Sequence, residues 1–278
     1  MSSLAILGAG EIGAAVAHKA ALRARFRSIR LVDADVNAAQ GKALDIRQSG
    51  PIDRFDTALS GHADTLDAAG ADVIVVADTV SQGEWDGEHG LAMMKQLVRS
   101  GTAAPIVFAG PKQVWLMETA VREVGLAANR VAGAPASATA AAARALAALE
   151  VDGSVKDVSL SLVGRPGSYV IAWSSATAAG ASMMDLIPAH RMLALSDRLR
   201  TAGPPKPQAI GAAANEIAEG LAFGSARRIA ALTVLDEQPG RGRAALLPLT
   251  LGRGRVLARH VPALSAQERV AYLNGLEK

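Results

Sequence analysis

Apolar runs of strand length alternate with segments of helical period along the first half of the chain. Leu4–Leu7, Ser28–Val32, Thr57–Leu59, Asp72–Ala77 and Pro105–Phe108 predict strands, and Glu11–Arg25, Asn37–Ser49, Gly90–Ser100 and Val114–Val124 predict helices. Such alternation is how βα units build a parallel sheet, since each crossover helix covers one of its faces. The pairs Gly50-Pro51 and Gly110-Pro111 are expected to punctuate the connections, because proline pushes the residue before it out of α geometry.

After a short strand near Arg130–Ala132, the alanine density of Ala136–Glu150 predicts one long helix joining two halves of the molecule. The pattern then changes. Val155–Val163 predicts a strand and Gly211–Gly220 the start of a helix. Ala230–Leu235, Ala244–Leu251 and Val256–Val261 predict short strands broken at Gly240, Gly242, Gly252 and Gly254, as in antiparallel hairpins. Ser265 and Glu268 form a capping box that opens a C-terminal helix. The expectation is an α/β chain in two parts, 1–135 with a parallel sheet and 136–278 of mixed α+β character.

Composition narrows the chemistry. With 278 residues, half of them hydrophobic, the chain can bury a sizeable core. It has no Cys, which removes disulfides, thiolate metal sites and a Cys nucleophile. The long uncharged run that includes Gly167 to Met184 holds too little Leu, Ile or Phe to cross a bilayer, and the N-terminus lacks a secretory profile, so a cytoplasmic protein is expected. Residues 1–150 carry 14 Lys and Arg against 16 Asp and Glu, residues 151–278 carry 15 against 10. The basic second half suits an anionic small molecule or is simply solvated surface. Aromatics at 3% and the absence of a long basic run argue against nucleic acid.

Gly8-Ala9-Gly10-Glu11-Ile12-Gly13 is a G-x-G-x-x-G that follows a predicted strand and opens a predicted helix, with Asp33 twenty residues after Gly13 at the end of the second strand. That register is the dinucleotide fingerprint. Gly8 allows the tight turn, Gly10 lets the backbone approach the pyrophosphate, Gly13 lets helix and strand pack closely, and the helix N-terminus supplies free N–H groups. Asp33 is expected to accept from the adenosine ribose diol and to repel a 2′-phosphate, so NAD is favoured over NADP. His18 on the same helix has no metal-binding partner at i+4 and reads as a boundary side chain.

On these residues, together with Leu31-Val32-Asp33, Gln40-Gly41-Lys42-Ala43-Leu44-Asp45, Ala71–Val76 and Leu251-Gly252-Arg253-Gly254, the chain resembles the malate/lactate dehydrogenase family from end to end. The resemblance implies a Rossmann domain followed by a mixed α+β substrate-type domain and a homo-oligomer assembled through the helix after Gly41 and the Ala-rich helix. It also implies NAD held by Gly8, Gly10, Glu11, Ile12, Gly13, Asp33 and Ala77. The family's chemistry needs a general-acid His oriented by an Asp, an Arg forked onto the substrate carboxylate, and loop arginines. At the corresponding positions stand Arg165 (Pro166 after a one-residue shift), Thr139, Ala142, Gln82 and Glu88, and the family's Asn-Pro turn is Gly110-Pro111. Arg144 matches only the neighbouring family arginine. Arg165 stays protonated near neutrality and cannot trade a proton.

Three readings follow. The first is an NAD-binding relative with little or no 2-hydroxy-acid dehydrogenase activity. The second is an active oxidoreductase of altered substrate, with Arg165 holding an anion and Glu84, Asp86, Glu88 or His89 supplying the proton. The third is an NAD-responsive binding or scaffold protein. The arginines at 23, 25, 27 and 30 read as solvated surface with some benefit to the helix C-terminus.

Overall fold

A computed structural model describes residues 2–237 and 240–277. The strands β1 (Ser3–Leu7), β2 (Ser28–Val32), β3 (Ala58–His62) and β4 (Val73–Val76) alternate with the helices α1 (Glu11–Arg23) and α2 (Val36–Asp53). A two-stranded hairpin, β5 (Asp78–Thr79) and β6 (Gly83–Glu84), precedes α3 (Gly87–Arg99), β7 (Ile106–Phe108), α4 (Val114–Arg122), β8 (Val131–Gly133) and α5 (Pro135–Glu150). The order β3-β2-β1-β4-β7-β8, parallel throughout, is a doubly wound sheet whose direction reverses beside β1.

The apolar runs are explained by burial on both faces. Leu4 and Ile6 of β1, with Val73 and Val75 of β4, face the core under α1 and α2, while Ala5, Leu7, Ile74 and Val76 face the core under α3 and α4. Pro51, expected to end α2, lies inside its last turn. There proline costs only the hydrogen bond of an exposed terminal turn, and the helix closes three residues later on Arg54 at φ 60°.

The second part extends the same sheet. β9 (Val158–Ser159), β10 (Leu162–Arg165), β11 (Ser168–Ile171), β12 (Thr177–Ala178) and β13 (Ala181–Ser182) lead to α6 (Met183–Leu186), α7 (Ala189–Thr201) and α8 (Pro207–Phe223). The chain ends in β14 (Ile229–Val234), β15 (Ala244–Gly252), β16 (Arg255–Arg259) and α9 (Ala266–Glu277). β14 pairs antiparallel with β8 and with β15, and β15 with β10 and β16, as the glycine-broken pattern predicts. The single strand expected over Val155–Val163 is instead two: β9 joins a small sheet with β12, and β10 the main one. The arginine patch is tied down more than expected, since Arg23 and Arg25 lie 3.2 and 3.5 Å from the buried carboxylate of Glu219 on α8.

The capping box closes as its sequence requires. Ser265 N–H donates to Glu268 Oε2 at 2.7 Å and Glu268 N–H to Ser265 Oγ at 3.3 Å, while Ser174 adds its N–H and its hydroxyl. Partial burial would raise the Glu268 carboxyl, but the Ser174 hydroxyl and these N–H donors outweigh it and hold it below the ordinary range. A depressed folded pKa stabilises above the unfolded value and is lost as pH falls through the folded one. Glu268→Ala is therefore expected to cost about 1 kcal/mol at neutral pH, the scale of a lost cap. In urea titrations the gap to wild type should close progressively below about pH 4. A gap that persists unchanged there would rule out the carboxylate as its source.

Candidate functional site

The glycine turn sits at the carboxyl end of β1, where a doubly wound sheet opens its ligand crevice. Gly8 takes φ +112°, and Gly10 caps α1 without a side chain. A Cβ built on Gly13 would lie 2.0 Å from the Gly8 carbonyl oxygen, so that position admits only glycine. Ile12 is buried in the core and Glu11 is exposed in the first turn of α1. Lys42 Nζ donates to the carbonyls of Ala9 and Gly10 at 2.5 and 3.2 Å, placing a positive charge behind the turn. The turn and the helix start thus form a backbone concavity of the kind that receives anions.

The space against that nest holds a carboxylate absent from the sequence-based site. Asp78, directly after the buried strand β4 and Ala77, accepts from Gly13 N–H on Oδ1 at 2.9 Å, and its main-chain carbonyl accepts from Gly10 N–H at 2.7 Å. A Cβ on Gly10 would meet the Asp78 carboxyl carbon at 2.3 Å. The available signal was a charged residue at the carboxyl end of an apolar strand, facing the crevice. Asp33 is only 2% exposed, with Oδ2 accepting from Ala9 N–H (2.8 Å) and Val80 N–H (3.0 Å) and Oδ1 from Asp35 N–H (3.0 Å).

The hairpin that begins at Asp78 lies across the crevice. Asp78 pairs with Glu84 and Thr79 with Gly83. Trp85 donates its indole N–H to the carbonyl of Leu7 at 3.1 Å and stacks on His89, with ring centroids 4.4 Å apart. Gln82 is exposed and donates its N–H to Thr79 Oγ1, and Glu88 is exposed in the first turn of α3. Glu84 turns inward. Its Oε2 accepts from Lys112 N–H at 2.7 Å and would lie 2.2 Å from a Cβ on Gly110, so its carboxyl fills the place of a side chain there. Half-burial raises the Glu84 carboxyl above the usual range, and the nearby Asp78 and Asp86 add to this against the Lys112 N–H. Gln113, also unforeseen, is fully buried; it accepts from Gly110 N–H and donates to the carbonyl of Ala77, fastening this turn to the end of β4. Its only sequence signal is a polar residue immediately before an apolar helix.

A cleft of 430 Å³ opens beside the Gly110-Pro111 turn, between α5, the β10–β11 turn and the end of α7. Pro111, Thr139, Pro166, Tyr169, Leu199 and Pro204 are among its lining residues. Burial pushes the Tyr169 phenol upward, so it stays neutral. Thr139 turns its hydroxyl onto the Pro135 carbonyl at 3.2 Å, whereas Ala142 and Arg144 are exposed on α5 outside the lining. Arg165, suggested above as a seat for an anionic ligand, is otherwise engaged. Its Nη1 lies 2.9 Å from Glu118 Oε1, which also accepts from Ala244 N–H at 2.8 Å, and both side chains are largely buried. A buried carboxylate already neutralises that cation. Among the described residues, the only arginine of the lining is Arg200, itself 3.2 Å from Asp197, and no histidine lines it. His190 is exposed at the start of α7, and His260 bonds Thr250. The described residues contain no cluster of three His, Asp or Glu suited to a metal, and no helix long and apolar enough to cross a membrane.

Comparison with known proteins agrees with this geometry. Residues 2–117 match the family model of the lactate/malate dehydrogenase NAD-binding domain, so the cofactor of this half is NAD. A malate dehydrogenase of Thermomicrobium roseum is 31% identical over 288 residues, covering 96% of this chain and 93% of the relative. One from Desulforudis audaxviator is 28% identical over 97% of this chain and 93% of its own length. The structure of malate dehydrogenase from Salinibacter ruber superposes with a TM-score of 0.86 at 24% identity, covering 99% of this chain and 94% of that one.

Proposed function

The chain belongs to the lactate and malate dehydrogenase family, and from that premise we propose that it is a member that binds NAD but has little or no 2-hydroxy-acid dehydrogenase activity. One observation carries the reading: Arg165, which the resemblance puts at the place of the family's proton-carrying His, is held in a buried pair with Glu118. A guanidinium cannot give or take a proton near neutrality, and this one is also spent as an anion clamp. The cleft beside it supports the same view, since Thr139, where the resemblance puts the orienting Asp, turns its hydroxyl onto the Pro135 carbonyl, and among the described residues no histidine and only one arginine, the exposed Arg200, line it. The proposal includes a division of labour between 1–135 and 136–278, and a cytoplasmic homo-oligomer that would cover the exposed Leu44 and Ile52 of α2.

The test is turnover with oxaloacetate and pyruvate against NADH, and with malate and lactate against NAD. Dehydrogenases of ordinary competence turn over at about 1–10³ per second, and loss of a general acid removes about 10²–10⁴ of that. From a typical turnover of about 10 per second, a loss of about 10³ or more leaves an expected rate of about 10⁻² per second or less. A kcat of about 1 per second or more on any of the four would overturn the reading.

A second reading, an oxidoreductase with another substrate and proton donor, has Glu84 in its favour: a half-buried carboxyl of raised pKa against the Gly110-Pro111 turn. A screen of small hydroxy, oxo and amino acids would support it if Glu84→Gln abolished the pH dependence of a newly found turnover. Change of oligomer size with NAD, and no turnover, would favour a scaffold role.

A further inference from the structure

The glycine nest has the form that suits a pyrophosphate, yet one short segment, residues 78–85, already engages the groups around it with two side chains and one main-chain N–H. Asp78 sets its carboxylate on Gly13 N–H and against Gly10, where the cofactor's phosphates would approach. Asp33 gives one lone pair of Oδ2 to Val80 N–H, although a ribose hydroxyl would need that oxygen. Trp85 crosses the carboxyl end of β1 and bonds Leu7. The first two contacts occupy groups that bound NAD would otherwise use, the third pins the hairpin to a carbonyl that already accepts from Ala77 N–H, and all three involve residues 78–85.

We propose that this hairpin is a resident occupant of the dinucleotide crevice, with the Asp78 carboxylate standing in for the pyrophosphate, so that NAD enters only by displacing it. The helix N-terminus and the Lys42 ammonium behind the turn favour one anion in the nest. They do not favour two, since a carboxylate and a phosphate a few ångströms apart repel. The hairpin and the cofactor therefore exclude each other, and the apparent NAD affinity is the intrinsic one multiplied by the fraction of molecules with the hairpin out. The device rests on NAD binding itself and is independent of whether the cleft performs chemistry.

Calorimetric titration with NADH tests it without any turnover. Asp78→Gly is expected to bind about tenfold tighter than wild type or more, because the competing anion is gone, and Asp78→Asn, which keeps an acceptor for Gly13 N–H but no charge, is expected to fall between. Trp85→Ala loosens the far end of the hairpin with Asp78 intact, and it too should tighten binding, which keeps the test valid if the Asp78 variants fold poorly. Hydrogen exchange supplies the second readout: saturating NAD should slow exchange over residues 9–14 and speed it over 79–86. Equal affinity in wild type and the variants, no binding by any of them, or slowed exchange over 79–86 would each overturn the proposal. Turnover of a 2-hydroxy acid would instead sink the functional reading and leave the affinity comparison standing.

Discussion

Glu118→Ala is expected to lower the stability of the fold by about 3–5 kcal/mol, because it strands the Arg165 guanidinium in a largely buried site. The Glu118 carboxylate takes two donors on one oxygen, Arg165 Nη1 at 2.9 Å and Ala244 N–H at 2.8 Å, and so ties α4 to both β10 and the start of β15. Removing it deletes both bonds and leaves a cation whose remaining contact is the Ala244 carbonyl at 3.4 Å. For a chain of this length the melting temperature should fall by about 10 °C, with a matching drop in urea midpoint at constant slope. Replacing both partners by apolar residues, Glu118→Leu with Arg165→Met, should recover much of the loss, since a buried pair often roughly balances its own desolvation. A single-variant cost below about 1 kcal/mol would mean that solvent reaches the pair and that Arg165 is freer than its surroundings indicate. The same logic bears on function. Arg165→His alone should destabilise the protein by under-serving Glu118, and the new imidazole would face that carboxylate and the Ala244 carbonyl in a largely buried site.

The parts of this molecule that were legible in its sequence are those fixed by neighbours in the chain. Ser28–Val32 is a strand with the predicted bounds, because its alternation buries Ile29 and Leu31, with Val32 after them, and leaves Ser28 and Arg30 half-exposed, the period of a strand. The glycine nest was legible because its turn, helix start and acid lie at fixed spacing. The parts that were missed depend on partners distant in sequence. Asp78 meets Gly13 across 65 positions, Glu118 meets Arg165 across 47 and Gln113 meets Ala77 across 36. No local pattern announces such a pairing. Helix α7 escaped for another reason: it is rich in charge and buries only Leu195 and Leu199, one i, i+4 pair, too little for an apolar stripe. The break between β9 and β10 escaped because neither Gly nor Pro marks it, and both halves are equally suited to strands.

Two glycine substitutions of opposite sign bring the local and the distant together. Gly41→Ala is expected to stabilise the protein by about 0.5–1 kcal/mol, since the residue lies within α2 with nothing within 4 Å of an added Cβ, and alanine is the better helix former. Gly13→Ala is expected to do the reverse, and more strongly. Its Cβ would stand 2.0 Å from a main-chain oxygen, that of Gly8, in a turn held by the bond from Gly8 N–H to the Val32 carbonyl at 2.7 Å. No side-chain rotation relieves a clash between backbone and Cβ, so α1 must move away from β1 or the turn must open. The cost should be about 3 kcal/mol or more, at the upper end of overpacking penalties. Because the moved atoms are the nest itself, NADH affinity should collapse together with the urea midpoint. A Gly13→Ala protein that keeps wild-type stability and binds NADH as wild type does would show that the turn is slack, and that close approach of helix and strand is not what this position secures.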